Sequence, residues 1–145
     1  MMLRRTLSSL LCAAAVAGAA TALAGPDDTL YRELGERPGL VALTDDLMTR
    51  LLADPRMAPF FVDVDAPVFK AHLVDQLCEV AGGPCRYTGK DMKTVHGAQD
   101  VTRSNFNALV EVLQQSMDAR GIPFRAQNRL LARLAPMHRE IVNAP

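Results

Sequence analysis

Three histidines, His72, His96 and His138, are the residues here with the widest chemical reach. They lie far apart in sequence and form no short ligand pair, which disfavours a zinc site. No Cys-x-x-Cys-His occurs, so c-type haem attachment is excluded. Each imidazole must therefore act singly. One imidazole nitrogen can hold a metal from one side and leave the opposite position open, although a lone helical histidine is structural more often than it is a ligand. What sets His96 apart is its leader: a Gly82-Gly83-Pro84 break, then Cys85-Arg86-Tyr87-Thr88-Gly89, then Met92, Val95 and His96 within about one helical turn.

The elements that must position these side chains are helical almost throughout. Leu40, Leu43, Leu47 and Leu51 make one stripe, Phe106, Leu109, Val110, Leu113 and Met117 a second, and Leu130, Leu134, Met137, His138 and Ile141 a third. No alternating strand pattern and no internal repeat is present. Pro38 suits a helix start. Pro55 and Pro59 end the first long helix and begin a tight crossing segment through Phe60-Phe61. Asp65 can cap the next helix, from about Ala66 to Ala81. Gly82-Gly83-Pro84 breaks it, and a short helix follows near Asp91 to Val95. Thr102 or Ser104 caps the fourth main helix, Arg120-Gly121 closes it, and Pro123 opens the last. Such a chain folds as all-α pairs of antiparallel helices around whatever fills the centre. With five Phe, two Tyr and no Trp, a core of side chains alone is thin, and a large flat cofactor would help complete it.

The first residues read differently from the rest. Arg4-Arg5, an uncharged run from Thr6 to Leu23 and the Ala22-Leu23-Ala24 site describe an export signal over residues 1–24, leaving a domain over 25–145. The expected location is the periplasm. An uncleaved anchor is the alternative, since about 18 apolar residues just span a bilayer. Without Arg4 and Arg5, 14 basic side chains face 16 acidic ones, a net charge of about −2. No basic stripe suggests nucleic acid and no polybasic helix a lipid surface, so the expected species is a monomer with a small partner and no stable membrane contact after cleavage. Export also permits Cys78 and Cys85 to pair across Gly82-Gly83-Pro84. Sequence leaves the bridge and two free thiols both open, because it does not give the Cα separation.

The stretch leading to His96 resembles the haem-binding segment of truncated haemoglobins. Leu30-Tyr31-Arg32-Glu33-Leu34-Gly35 resembles the first helix of that family's first group. Asp45-Asp46, Leu51 to Arg56 and Ala58-Pro59-Phe60-Phe61 are similar to its second helix and phenylalanine corner, and Gly121-Ile122-Pro123 to the turn into its last helix. The match runs from about Thr29 to Val142. It implies a two-over-two helical sandwich holding haem b, with His96 as proximal ligand and Phe61 packed on the macrocycle. Tyr87 and Met92 would line the proximal side or the edge, and Lys93 and Arg86 would be candidates for the haem propionates, against a reading of both as solvated surface charge.

The opposite side departs from the family. Where many members carry a Tyr on the second helix and Gln residues on the third, this chain has Met48, Phe69 and Leu73. Losing such donors weakens dioxygen binding relative to carbon monoxide, each charge-assisted bond being worth about 1.5–3 kcal/mol. His72 matches the histidine that serves cyanobacterial members as a sixth iron ligand, with Met48 a rival thioether and a rim histidine the plain alternative. His138, in Ala135-Pro136-Met137-His138-Arg139-Glu140, matches one that can bond covalently to a haem vinyl group; its alternative is a half-buried packing residue.

Two functions follow from the resemblance. One is a globin that binds oxygen, carbon monoxide or nitric oxide reversibly at iron opposite His96. The other is an exported bis-histidyl redox protein, served by an unknown reductant, that transfers electrons or detoxifies nitric oxide or peroxide. A dedicated enzyme is not the first expectation; nitric oxide dioxygenase or peroxidase chemistry would be a side activity. A helical interaction module without cofactor is the third reading, and it predicts no Soret absorption.

Overall fold

The computed structural model describes residues 27–145; the export signal read from residues 1–24 lies outside them. In chain order the helices are α1 (Thr29–Glu33), α2 (Glu36–Ala53), α3 (Ala58–Phe61), α4 (Ala66–Val80), α5 (Met92–His96), α6 (Arg103–Ala119), α7 (Phe124–Leu134), a single 3-10 turn (Ala135–Met137) and α8 (His138–Ile141). No strand occurs among the described residues, and no helix there is long and apolar enough to cross a membrane.

Local chemistry sets these boundaries. Asp65 accepts from the Val68 amide at 3.1 Å and starts α4. Of the two candidates for the α6 cap, Thr102 is the one used, in a reciprocal capping box with Asn105. Gly35, at φ +82°, turns the chain between α1 and α2, where a side chain on Gly39 would strike the Leu34 carbonyl. The helix expected to run on to Ile141 is interrupted instead. Pro136 has no amide hydrogen to continue the ladder, so the backbone tightens into the 3-10 turn and restarts as α8.

α2 packs against α4 on one side and α6 on the other, while α7 closes against α6, α4 and α1. Leu40, Leu43 and Leu51 of α2, Leu77 of α4, Val112 and Met117 of α6 and Leu130 of α7 meet in a nearly solvent-free core. Gln127 is buried but satisfied, donating to Asp118 at 2.7 Å and to the Ile122 carbonyl at 2.9 Å, which fastens the turn from α6 into α7. The α6 stripe divides. Ala108, Val112 and Ser116 are buried, whereas Phe106, Leu109 and Val110 look into a cavity that the helix pairs leave between them.

Cys78 and Cys85 are joined in a disulfide, with their Cα atoms 5.7 Å apart. It ties the end of α4 to the loop that leads into α5. Gly83 is required beside it, because a Cβ there would lie 2.6 Å from the Tyr31 ring and 2.7 Å from Cys78 Sγ. For so short a loop, the lost chain entropy of the unfolded state corresponds to about 2–3 kcal/mol. Reduced and alkylated protein should therefore unfold at lower denaturant than oxidised protein by that margin. Equal midpoints would mean that the bridge contributes no stability.

Candidate functional site

The cavity has a volume of about 660 Å³ and a mostly apolar wall, within the range that holds small molecules and cofactors. One face of α4 supplies Phe69, His72, Leu73, Gln76 and Leu77 at the i, i+3, i+4, i+7, i+8 spacing of a single helical stripe. Phe60 and Phe61 close one end, the Phe61 ring standing edge-on to Phe69 at 5.4 Å between centroids. Met92, Val95 and His96 enter from α5, Phe106, Leu109 and Leu113 from α6, and Met137 and Ile141 from the C-terminal turns.

His96 is set up as a ligand by its own helix. Its Nδ1 lies 2.8 Å from the Met92 carbonyl, and since a carbonyl can only accept, the proton sits on Nδ1 and the Nε2 lone pair is left free. A backbone carbonyl on the second nitrogen is the usual partner of a metal-binding imidazole. α5 is only five residues long and needs outside support. Asp91 caps its start, accepting from the Thr94 amide at 2.9 Å and hydroxyl at 2.7 Å; these bonds hold the Asp91 carboxyl below the ordinary range. At its end Asn143 donates to the His96 carbonyl at 2.8 Å and accepts from the Val101 amide at 2.7 Å. The C-terminal tail thus clasps the segment that carries His96.

On the α4 side, His72 stands at the exposed rim of the same cavity, with the Tyr87 ring edge-on at 6.2 Å. Tyr87 is anchored by its hydroxyl, which donates to the Lys90 carbonyl at 2.7 Å, and by its amide, which donates to Glu79 at 3.1 Å. Burial, and then the Asp91 charge, push the phenol upward, so it stays protonated at neutral pH.

Of the residues singled out in the sequence, His96, His72, Phe61, Phe69, Leu73, Tyr87 and Met92 all line the cavity. Met48, Lys93, His138 and Arg86 do not. Met48 is buried in α2, and Leu47 is the neighbour that reaches the wall. Lys93 is exposed on α5, Arg86 is exposed beside Glu79 at 3.5 Å, and Lys90 is the lysine at the mouth. His138 sits behind the wall, its ring 4.8 Å from that of Phe106. Gln76 and Asn143 were not anticipated. Gln76 donates to Met92 Sδ at 3.3 Å, and its place four residues beyond His72 was the available signal. Asn143 has no periodic signal because its partners are backbone groups distant in sequence.

Residues 29–143 match the family described as bacterial-like globin. The chain belongs to that family. It is 30% identical to the group 1 truncated haemoglobin of a Nostoc species over 115 residues, covering 79% of this chain and 98% of that one. It is also 30% identical to the group 1 protein of a Synechocystis species over 99 residues, 66% of this chain and 80% of the relative. Among solved structures, the truncated haemoglobin of Tetrahymena pyriformis superposes with a TM-score of 0.77 at 24% identity, covering 79% of this chain and 98% of that one. The two-over-two haemoglobin of a Synechococcus species, solved in the cyanomet state with covalently attached haem, gives 0.73 at 22% identity, with 79% and 98% covered. This truncated haemoglobin accordingly has the all-helical globin architecture that the sequence predicts, and membership implies haem as its cofactor.

Proposed function

We propose that this globin holds haem b through His96 Nε2 and binds a diatomic ligand reversibly on the side faced by α4. The carrying observation is the His96 imidazole, fixed by the Met92 carbonyl at 2.8 Å and presented to a mostly apolar cavity of about 660 Å³. The donor set fits the group: the His96 imidazole with its Nδ1 tied to a backbone carbonyl, aromatic and aliphatic walls, and Lys90 at the mouth for a carboxylate. Haem supplies the iron at which oxygen, carbon monoxide or nitric oxide is held. The chain's own part is to exclude water with Phe61, Phe69, Leu73 and Phe106, to orient His96, and to set Phe69 and Leu73, which donate no hydrogen bond, on the α4 face beside His72. The domain works after export and removal of residues 1–24, in the periplasm.

A second reading, a bis-histidyl redox protein, is favoured by one observation: His72 lines the same cavity while Phe69 and Leu73 beside it donate no hydrogen bonds. Spectra of haem-loaded protein, ferric, ferrous and ferrous with carbon monoxide, separate the readings. A Soret band with a five-coordinate ferrous form supports carriage, a low-spin ferrous form supports the second reading, and no Soret band rejects both.

A covalent bond from His138 to a haem vinyl carbon belongs to the same proposal. His138 is outside the cavity lining, its ring 4.8 Å from that of Phe106, which is part of the lining, so the bond would need His138 to reach into the cavity. Acid-acetone extraction of reduced, aged protein should then leave haem on the polypeptide, and His138→Ala should release it. Complete extraction from the unsubstituted protein would leave His138 as a packing residue.

A further inference from the structure

The Gly82–Lys90 segment is the strap between the helix bearing His72 and the helix bearing His96. Apart from an Arg37 contact at Cys85 Sγ, its ties outside the segment run back to α4. Cys85 is bonded to Cys78, the Tyr87 amide donates to Glu79 at 3.1 Å, and Arg86 pairs weakly with Glu79 at 3.5 Å. Two residues beyond Cys85, the Tyr87 ring rests edge-on against His72 at 6.2 Å. Cys78 lies six residues after His72, about 9 Å along the helix, so the bridge anchors α4 within two turns of His72. Without the bridge the start of the strap keeps its backbone bonds from Gly82 to Glu79 and from Gly83 to Cys78, but beyond Cys85 only the exposed polar ties to Glu79 hold it to α4, and these hold weakly.

We propose that the Cys78–Cys85 disulfide is a redox-operated latch in which Tyr87 acts as a positioning residue that restrains His72. Opening it lets His72 onto iron and slows the entry of an external ligand. This rests on the haem reading above. The opening step is exchange with a dithiol. Its thiolate attacks one sulfur of the pair and displaces the other as a thiolate, and the second thiol then closes the reagent's own disulfide. Two electrons pass to the pair, and two protons end on Cys78 and Cys85. With Cys85 attacked, Cys78 leaves first; Cys85 leaves as a thiolate when the reagent's disulfide closes, and the Arg37 guanidinium, 3.5 Å from Cys85 Sγ, stabilises it there. Cys85 is partly exposed and Cys78 is fully buried, so Cys85 is the sulfur within reach of an attacking reagent.

The test compares haem-loaded protein with the bridge intact, verified by the absence of alkylatable thiol at Cys78 and Cys85, against Cys78→Ser/Cys85→Ser. Carbon monoxide association with the ferrous form should be at least about fivefold slower in the double variant, the low end of ordinary coupling between sites. Its low-spin ferrous fraction should be larger. Tyr87→Ala, with the bridge present, should shift both in the same direction, and in a His72→Leu background the difference should vanish. Should the serine variant fail to fold, dithiothreitol opening of the unsubstituted protein, followed by alkylation, provides the same comparison. Equal rates and spectra, faster association, or a slowing that persists without His72 would overturn the latch while leaving haem binding intact. Failure of the unsubstituted protein to take up haem would overturn the haem reading and the latch together.

Discussion

His96→Ala should purify with little or no stably coordinated haem, and added haem should leave on dilution. The variant removes the imidazole that the Met92 carbonyl holds at 2.8 Å with its second nitrogen free, and with it the bond by which α5 would hold the cofactor's iron. Loss of a hydrogen-bonding partner behind a ligand already costs about 10–100-fold in metal affinity, so loss of the ligand itself should cost more than about a hundredfold. The apolar wall remains and still attracts a porphyrin, which is why the measurement must distinguish coordination from adsorption. A haem transfer assay and a ferrous spectrum do so. Full retention of cofactor with an unchanged ferrous spectrum would remove His96 from the site and shift attention to His72, the other histidine lining the cavity.

The part of this site legible in the sequence is the part written in local spacing. The α4 face could be read because Phe69, His72 and Leu73 obey the helical period, and a short helix near Asp91 to Val95 because the Gly82-Gly83-Pro84 break precedes it; the structure makes Asp91 its cap and carries it to His96. Asp65 likewise announces α4 through its bond to the Val68 amide. What depends on how helices rotate against each other was not legible. Met48 and Leu47 are adjacent in α2 and both are buried, yet only Leu47 reaches the cavity, a choice made by the packing of α2 between α4 and α6. His138 shares the periodic stripe of its segment, but Pro136 breaks that segment and leaves His138 behind Phe106. The Cys78–Cys85 spacing permitted a bridge without requiring one; the αL turn at Gly82 and the lack of a side chain at Gly83 bring the two sulfurs together.

His72→Leu should convert a low-spin ferrous spectrum to a five-coordinate one and accelerate carbon monoxide binding. An internal ligand must leave before an external one can enter, so the apparent association rate is reduced by the fraction of time the site is closed. A site closed nine-tenths of the time would gain about tenfold on substitution. The geometry makes the exchange feasible. His72 is at the rim rather than locked in the core, its recorded ring contact is an edge-on approach to Tyr87 at 6.2 Å, and its neighbours Phe69 and Leu73 offer no hydrogen bond to compete for the imidazole. Leucine keeps the helix and the apolar wall, so altered kinetics would report the ligand and not a collapsed cavity. If the unsubstituted protein is five-coordinate in both oxidation states, His72 is a rim residue and the electron-transfer reading loses its footing. If that protein is six-coordinate and the variant is unchanged, His72 is not the sixth ligand. Met57, Met92 and Met137 would then be the thioethers to substitute, because all three line the cavity and Met48 does not.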